Sequence, residues 1–600
     1  MTNRFRALLT SLTLVIPFVP VVPGWAQQNG QIPTYRSRTD VVLVPLVVRS
    51  KSGPVEGLKA EQISVTEDGK PQKIASVELI KTGARVTWRA VPGEFSNELV
   101  APGPARLTII GIDMINTPFL DQAFGRQQLL KYLAGSIQAG EQIALFGMYR
   151  DGSVRLLHDI STDPAVLATA IKGLTGALPN SAAETKPAPA YSQQEIATRL
   201  TTDTSADKPV ATLDNPAFKR AVDEEQALLE FKESTSGTRA LELVRNMEAT
   251  LSSMRQIGEA YSGAPGRKAF IWITGSFPFD LNGTGELLSP QTVFTGNTQQ
   301  TGTYQAGHSG ALPPMPEASS LVKDIDLSPL RQQFRTMLQQ FAAGNIVLYP
   351  LDARGVMTQD FEVADGHTNE ILLQLQKGRV QASQSTMETM AKMTGGKACY
   401  NKNDIVSCLR DADRDSDEYY LLTYYRDKNN NKPGWRKLSV KVDQPEAEVR
   451  ARSGYFFGSD GGDKNARNRA FSAAMNSSVP FTSVPFSAKF LTTTPGGNKK
   501  LVKFEIYIPP ATVDSVDQGD HKFQMEVVAV AGTPKDPRVD QVGEVLGGNL
   551  PPEAVTAIHQ QGLAYNNVLK LPPGEYSVHF MVRNVTTNTV GSVIAPLKVE

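Results

Sequence analysis

The sequence predicts an α/β fold in which a doubly wound, mostly parallel sheet is flanked by β-sandwich domains. Across residues 105–414, uninterrupted apolar runs such as Leu107–Ile112 and Ala269–Thr274 alternate with amphipathic helical patterns. Strands that are buried on both faces of a parallel sheet have such runs. In residues 415–458, apolar and polar side chains alternate instead, which is typical of strands with one exposed face.

Composition indicates a folded protein of several domains. The chain has 600 residues, with 61 Lys and Arg against 61 Asp and Glu, and 40% of its residues are hydrophobic. Disordered chains contain fewer apolar residues and carry a larger net charge. Nucleic-acid binders and proteins of anionic membrane surfaces have an excess of basic residues, which this chain lacks. We therefore expect no nucleic-acid partner.

The amino-terminal segment has the pattern of a signal peptide. A positively charged start precedes the apolar run Ala7–Val22, and Gly24-Trp25-Ala26 offers small residues for cleavage. The run is short for a membrane span and contains prolines. We predict that residues 1–26 are removed on export and that 27–38 form a polar leader. The mature chain is then expected to be periplasmic or extracellular, without a membrane span.

Residues 39–90 begin with the β-rich run Val41–Val48 and contain further short strands separated by turns. They hold too few strands for a complete sandwich. Residues 415–458 have the same shortage. The two parts are therefore expected to combine into one discontinuous β-sandwich, because neither hides its apolar face alone.

Within residues 105–414, strands and helices are predicted in alternation. Asp151-Gly152 joins two strands in a hairpin, Ser328-Pro329 starts a helix, and Ser385-Thr386-Met387-Glu388 is a capping box that opens another helix. The remaining predicted elements are strands at Leu107–Ile112, Gln142–Met148, Ala269–Thr274 and Asn345–Pro350, and helices at Asp163–Leu174, Ala240–Tyr261 and Asp404–Ala412.

The last part of the chain is predicted to be all-β. Residues 459–480 are a linker whose first part is rich in Gly and Asp, and 481–600 show period-two alternation. One strand face contains Val502, Phe504, Ile506 and Ile508. Several strands of this kind predict a carboxy-terminal immunoglobulin-like sandwich.

Three long segments of 105–414 are predicted to lie at one edge of the sheet. Residues 275–327 and 351–384 are expected to leave the sheet where its parallel strands end. Residues 175–238 are expected at the same edge, because the helix before them follows an antiparallel strand and runs toward that edge. Loops of this length are either functional or disordered. The sequence leaves both interpretations open: a specialised binding surface, or flexible decoration.

The chain has two cysteines, Cys399 and Cys408. In a reducing compartment they are two small buried hydrophobes, whereas in an exported protein they can pair. A disulfide between them joins a predicted strand that ends at Tyr400 to the following helix.

The order of segments resembles the secreted bacterial von Willebrand factor A-related family of the acidobacterial type. The resemblance covers most of residues 39–458, and the tail has a further match at Pro572-Pro573-Gly574-Glu575-Tyr576. The other matching stretches are Val41–Ile80, Ile110–Thr117, Arg267–Pro278, Val347–Gly355, Thr394–Asp404, Tyr419–Tyr425 and Arg452–Phe456. The resemblance implies an A-type domain of Rossmann-type topology beside β-sandwich material, and little chemistry.

The resemblance also implies a metal-ion-dependent adhesion site, in degenerate form. Asp113 and Thr117 stand at the first and last positions of the family's Asp-x-Ser-x-Ser motif, but Ile115 replaces the middle serine. The family often has an aspartate after its fourth strand, where this chain has Gly275. Asp280, a few residues further on, is expected to compensate for that missing ligand. One divalent cation, Mg²⁺ or Ca²⁺, is the implied cofactor, although it prefers about six oxygen ligands. The alternative is that Asp113 only caps the helix that follows.

A second acidic pattern is not interpreted as a metal site. Asp411, Asp413, Asp415 and Asp417 alternate as in a calcium loop, but Ser416 replaces the glycine and Leu422 the glutamate that such a loop needs. We expect a solvated helix end there.

These observations predict an exported, non-enzymatic protein-binding or adhesion-type module that uses the loop-rich edge of its A-type domain. A protein partner is expected, and the oligomeric state is left open. Two alternatives remain: a metal-free structural scaffold of an envelope assembly, and a secreted hydrolase whose active site has no recognisable motif.

Overall fold

The computed structural model describes residues 41–51, 53–117, 119–135, 141–174, 242, 244–275, 328–355, 370–426, 434–457, 466–516, 524–547 and 551–600. All of them lie in one contact unit, residues 36–600. The predicted signal peptide 1–26, the leader 27–38, the segment 175–238 and all but the first residue of 275–327 lie outside the described residues.

The amino-terminal part is made of short strands rich in β-branched residues, which favour extended backbone. In chain order they are β1 (Val41–Ser50), β2 (Gly53–Pro54), β3 (Ile63–Glu67), β4 (Lys70–Gln72), β5 (Ile74–Lys81), β6 (Thr87–Trp88), β7 (Phe95–Ser96) and β8 (Leu99–Val100).

Strands and helices alternate in the next part of the chain. The strands are β9 (Arg106–Asp113), β10 (Ile143–Met148), β11 (Val154–Ser161), β12 (Arg267–Thr274) and β13 (Ile346–Asp352). The helices are α1 (Phe119–Gly135), α2 (Pro164–Lys172), α3 (244–261), α4 (Ser328–Ala343), α5 (Glu370–Thr394) and α6 (Ile405–Asp417).

The remaining elements are again mostly strands. They are β14 (Glu418–Tyr425), β15 (Gly434–Val442), β16 (Glu448–Ala451), β17 (Gly454–Phe457), α7 (Ala466–Asn476), β18 (Ser487–Gly496), β19 (Lys499–Ile508), α8 (Pro510–Val516), β20 (Gln524–Gly532), β21 (Asp540–Gly547), α9 (Pro552–Gln561), β22 (Leu563–Leu571), β23 (Gly574–Asn584) and β24 (Val590–Val599).

The predicted fold class is wrong for this chain. Most described residues in regular structure are in strands, which form several sheets whose ladders are mostly antiparallel. Parallel ladders occur in one sheet, and that sheet is mixed because β11 runs antiparallel to β10. The prediction relied on residues 105–414. Strands joined by short turns, which pair antiparallel, outnumber those of the mixed sheet.

The mixed sheet has the strand order β11-β10-β9-β12-β13. Its central strands are buried on both faces: Ile110 and Ile271 pack with α1, α2 and α6, whereas Ile109 and Phe270 pack with α3 and α4. Apolar side chains therefore occupy successive positions along β9 and β12, as their uninterrupted runs require.

Strands from both sides of the mixed-sheet segment pair with each other. β1 lies between β14 and β16, and β5 pairs with β14; in the second sheet, β15 lies between β3 and β17. Val44 is opposite Leu422, and both are fully buried. Val44, Val65, Leu422 and Leu438 belong to one apolar cluster between these sheets, so the alternating pattern places one face of each strand in a shared core.

The carboxy-terminal strands form two four-stranded sheets, β22-β19-β18-β7 and β21-β20-β23-β24. Their inward faces share one apolar cluster, in which Val502, Phe504, Ile506 and Ile508 of β19 are fully buried. The first of these sheets takes β7 from the amino-terminal part of the chain.

Three local predictions are wrong. Helix α5 begins at Glu370, so the predicted capping box lies inside it and 370–384 are not loop. Thr386 and Met387 of that motif are fully buried, which shows that core packing, not a cap, determines their conformation. Helix α7 occupies part of the predicted linker 459–480.

The carboxy-terminal end of α6 is not the solvated acidic end that was expected. Asp413 and Asp415 are buried. Arg106 lies 2.8 Å from Asp413, and Asp415 accepts hydrogen bonds from Arg49 and Arg450. Strand-borne arginines therefore compensate carboxylates that would otherwise be buried alone.

Among the described residues, no helix combines the length and the apolar character that crossing a bilayer requires.

Candidate functional site

Three polar residues end neighbouring strands of the mixed sheet. Thr274 of β12 is paired with Asp352 of β13, and Ile273 with Ile112, the residue before Asp113 of β9. Asp113, Thr274 and Asp352 thus form a row at the carboxyl ends of three parallel strands. We call this row and the residues that directly follow each strand the carboxyl edge. Ligands of sheets with parallel strands commonly bind at this position.

The Asp113 carboxylate accepts hydrogen bonds from five donor groups of its own chain. Its Oδ1 accepts from the backbone N–H groups of Ile115 and Asn116, at 2.8 and 3.0 Å. Its Oδ2 accepts from the Asn116 side chain, the Trp272 indole and the Thr274 hydroxyl. These five hydrogen bonds use the acceptor capacity of a carboxylate, which is about four lone-pair sites.

The environment of Asp113 explains why it needs these partners. The residue has no exposed surface. Burial raises the pKa of its carboxyl group, and the hydrogen bonds from Asn116, Thr274 and Ile115 oppose that rise. Three of the five donor groups, on Ile115 and Asn116, belong to its own loop, so Asp113 acts as the cap that fixes the turn after β9.

Thr117 is also used within the chain. Its hydroxyl accepts a hydrogen bond from the N–H of Gly275, at 2.8 Å, and its carbonyl accepts one from the Gln122 side chain. Asp113, Thr117 and Asp121 line a cavity of about 10 Å³ between α1 and the strand ends. That space is about the size of one water molecule.

These residues do not fit a divalent cation. Both oxygens of Asp113 and the hydroxyl of Thr117 face N–H or O–H hydrogens, which repel a cation. Ile115 is buried in the apolar core, and Asp280 lies outside the described residues. No group of three His, Cys, Asp or Glu side chains with metal-binding geometry occurs in the part of the chain that the structure describes.

Asp352, the third residue of the row, is paired as well. Arg354 donates to its two oxygens from Nε and an Nη atom, at 2.9 and 2.7 Å. This forked geometry is the strong form of the Arg–carboxylate interaction. Burial raises the pKa of the nearby Asp121, with the charge of Arg354 opposing that rise.

The predicted disulfide between Cys399 and Cys408 is confirmed. Cys399 forms a bridge with Leu351, and its carbonyl accepts from the N–H of Asp352, at 2.8 Å. The loop 400–404 therefore starts beside the carboxyl edge, and the disulfide joins it to α6. Residues 401–404 are exposed, so this loop is the solvent-facing rim of the edge. We call it the rim loop.

Sequence reasoning placed Asp113 and Thr117 at this edge but missed Trp272, Asn116 and Thr250. Asn116 donates to both Asp113 and the hydroxyl of Thr250 in α3. One signal was present in the sequence: a tryptophan inside an apolar strand needs an acceptor for its indole N–H, and Asp113 is that acceptor.

No protein-family model and no curated protein matches this sequence. The geometry of the carboxyl edge is therefore the basis on which its function is inferred.

Proposed function

We propose that the protein is an exported, non-enzymatic binding protein that holds a protein partner at the carboxyl edge without a bridging cation. The observation that carries the proposal is the closure of the Asp113 carboxylate by five internal hydrogen bonds. Cation-bridged adhesion needs an open coordination position for the partner's carboxylate, and this arrangement offers none.

The rim loop supplies the exposed groups for recognition. Asn401, Lys402, Asn403 and Asp404 are exposed, whereas Asp113 and Asp352 are buried. The disulfide and the backbone bond to Asp352 hold the loop in place, which lowers the entropy lost on binding. Recognition by these residues is polar, so it suits a hydrated protein surface.

Export is part of the same proposal. The disulfide supports an oxidising compartment, because such bonds are rare where thiols are kept reduced. The resemblance to the secreted von Willebrand factor A-related family also supports export.

Breakdown of a panel of hydrolase substrates, abolished by one point mutation, would overturn the non-enzymatic assignment.

The test compares partner capture in Mg²⁺ and in EDTA. Mature protein is used as bait with the envelope fraction of the producing cells, alongside Lys402→Glu in the rim loop. Lys441→Glu is the matched control, since Lys441 is also exposed but lies on β15. We expect one partner to be retained by the wild type and the control in both buffers, and to be lost by the rim-loop variant.

Two outcomes contradict the proposal. Capture that requires Mg²⁺ or Ca²⁺, together with a cation-dependent rise in melting temperature that Asp113→Ala removes, indicates a metal-dependent site. Capture that Lys402→Glu leaves unchanged places the binding surface elsewhere.

A further inference from the structure

A tyrosine and an arginine stack on each other where β10 ends. Met148, the last residue of β10, pairs with Asp113, so Tyr149 extends the carboxyl edge by one strand. The guanidinium of Arg155, on the neighbouring strand β11, lies 4.2 Å from the centroid of the Tyr149 ring. This distance is that of a cation–π contact.

Gly147 makes room for this stack. It is the residue of β10 that pairs with Arg155, and a Cβ on it would lie 2.9 Å from Cε2 of Tyr149. A side chain at position 147 would therefore displace the ring from Arg155. The ring is half-buried and packs on the apolar cluster to which α1 and α2 contribute, so it is a fixed support for the guanidinium.

The charge of Arg155 is available to a partner. The residue is exposed, and it forms no ion pair within the part of the chain that the structure describes. Asp151 lies in the turn before β11, but its Oδ1 accepts from the N–H and the hydroxyl of Ser153, at 2.9 and 2.6 Å. Burial favours a higher pKa for Asp151, but these bonds and the charge of Arg155 outweigh burial and lower it. The Asp151 carboxylate is therefore ionised and bonded within its own turn.

Exposed cations stand at both ends of the carboxyl edge. Arg150, in the turn after β10, and Lys402, in the rim loop, are exposed, and neither forms an ion pair with a described residue. Between them, Asp113 and Asp352 are buried and accept hydrogen bonds from neighbouring side chains. The available charges of this edge are therefore positive, which favours a negatively charged partner.

We propose that the Tyr149–Arg155 stack is a second contact of the carboxyl edge and receives a carboxylate of an acidic protein partner. The inference rests on the proposed function, since it assigns a further contact and a charge to the same partner. The planar fork of a guanidinium matches the two oxygens of a carboxylate. An arginine that is already stacked loses less conformational freedom when it binds, and tyrosine and arginine commonly dominate the energy of protein interfaces.

The stack and the rim loop fit within one interface. Four strand spacings separate β10 from Cys399, which forms a bridge with β13, and this corresponds to about 20 Å. An interface of standard size covers about 800 Å² on each partner, which is roughly 30 Å across. One acidic surface therefore reaches both Arg155 and Lys402.

The first experiment probes the stack without the partner. Binding of a fluorescein-labelled hexaglutamate peptide to the full mature chain is measured by fluorescence anisotropy, starting at about 20 mM salt. We expect saturable binding that weakens as salt is added, with a dissociation constant that rises at least about tenfold in Arg155→Glu. Arg538→Glu is the matched control, because Arg538 is also exposed and forms no ion pair with a described residue. Its dissociation constant is expected to stay within about twofold of the wild-type value.

Three further variants separate the charge from its support. Arg155→Lys keeps the charge but loses the planar fork, so its binding is expected to weaken about threefold. Tyr149→Leu keeps apolar volume but has no aromatic face, and it is expected to weaken binding although Arg155 is intact. Tyr149→Phe keeps the ring and is expected to bind like the wild type. Melting temperatures confirm that each variant folds before it is compared.

A wild type that does not bind hexaglutamate overturns the inference, and so does binding that Arg155→Glu or Tyr149→Leu leaves unchanged. Partner capture distinguishes this failure from that of the proposed function. Capture that Lys402→Glu abolishes and Arg155→Glu leaves intact supports the proposed function and overturns the second contact. Hexaglutamate binding that depends on Arg155, without any captured protein, supports the carboxylate site and counts against the proposed function.

Discussion

The hydroxyl of Tyr132 lies 2.8 and 3.0 Å from the two carboxylate oxygens of Glu141, to which it donates. Neither residue has exposed surface. Asp413 and Arg106 belong to the same buried group, and burial together with the charge of Asp413 raises the pKa of Glu141 to about 7. Glu141 therefore holds a proton at pH values where an exposed glutamate has lost it.

This proton makes stability depend on pH. The pKa of Glu141 is higher in the folded state than in the unfolded state. Its contribution to the free energy of unfolding is therefore complete below the unfolded pKa of 4.5 and is lost as the pH rises through the folded pKa of about 7. The difference amounts to about 3 kcal/mol. Glu141→Gln stays neutral at every pH. Urea unfolding at about pH 5 and about pH 8 is expected to show a smaller pH effect in the variant than in the wild type. Equal pH effects would contradict this account.

Loss of the Asp113 carboxylate is expected to destabilise the mixed sheet. Asp113→Ala removes the five hydrogen bonds that this buried carboxylate accepts, among them those from Trp272 and Thr274, at a cost of about 4 kcal/mol. Asp113→Asn keeps one oxygen and is expected to cost less. Urea denaturation measures both changes. A loss below about 1 kcal/mol for the alanine variant would show that the five hydrogen bonds are replaceable.

Removal of the disulfide is expected to lower the free energy of unfolding by about 2–3 kcal/mol, the chain-entropy value for a short loop. The two cysteines are 9 residues apart. The double variant Cys399→Ser/Cys408→Ser is compared with the wild type, with and without a thiol reductant. The reductant should destabilise the wild type and leave the variant unchanged; an effect on both would place the cause elsewhere.

Gly266 permits the close approach of two chain segments. It has φ +82°, and a Cβ there would lie 1.9 Å from the carbonyl oxygen of Ala105, a distance that no relaxation of side chains removes. Gly266→Ala is expected to cost more than about 3 kcal/mol or to prevent folding.

Gly83→Ala is the control for this substitution, because a Cβ on Gly83 meets nothing within 4 Å. Its melting temperature should stay close to that of the wild type. If both variants have the same melting temperature, the contact between Gly266 and Ala105 does not determine stability.

Periodicity in the sequence identified individual strands well but not how they combine. The alternating residues Val502, Phe504, Ile506 and Ile508 are all buried, because a strand between two sheets must direct every second side chain inward. The predicted fold class was wrong because the fold class depends on how many strands pair antiparallel across the whole chain. Local pattern carries no information about pairings such as that of β7 with β18.

The candidate site was predictable in part. An aspartate between a buried strand and a helix predicts a helix cap, but Asp113 accepts from the turn residues Ile115 and Asn116, and α1 begins only at Phe119. Its partner Trp272 is 159 residues away, so the closed carboxylate depends on tertiary structure. The buried positions of Asp413 and Asp415 were missed for the same reason, since their arginine partners lie on distant strands.

The pairing of β1 with β14 sets an order of events during synthesis. Val44 meets Leu422 only after the ribosome has added almost four hundred residues. Contacts of such sequence separation form slowly, and until then residues Val41–Leu46 of β1 lack the strand β14 that pairs with them. The nascent chain therefore depends on protection of its first strand from aggregation. A chain truncated before β14 should yield insoluble protein even if the mixed sheet folds.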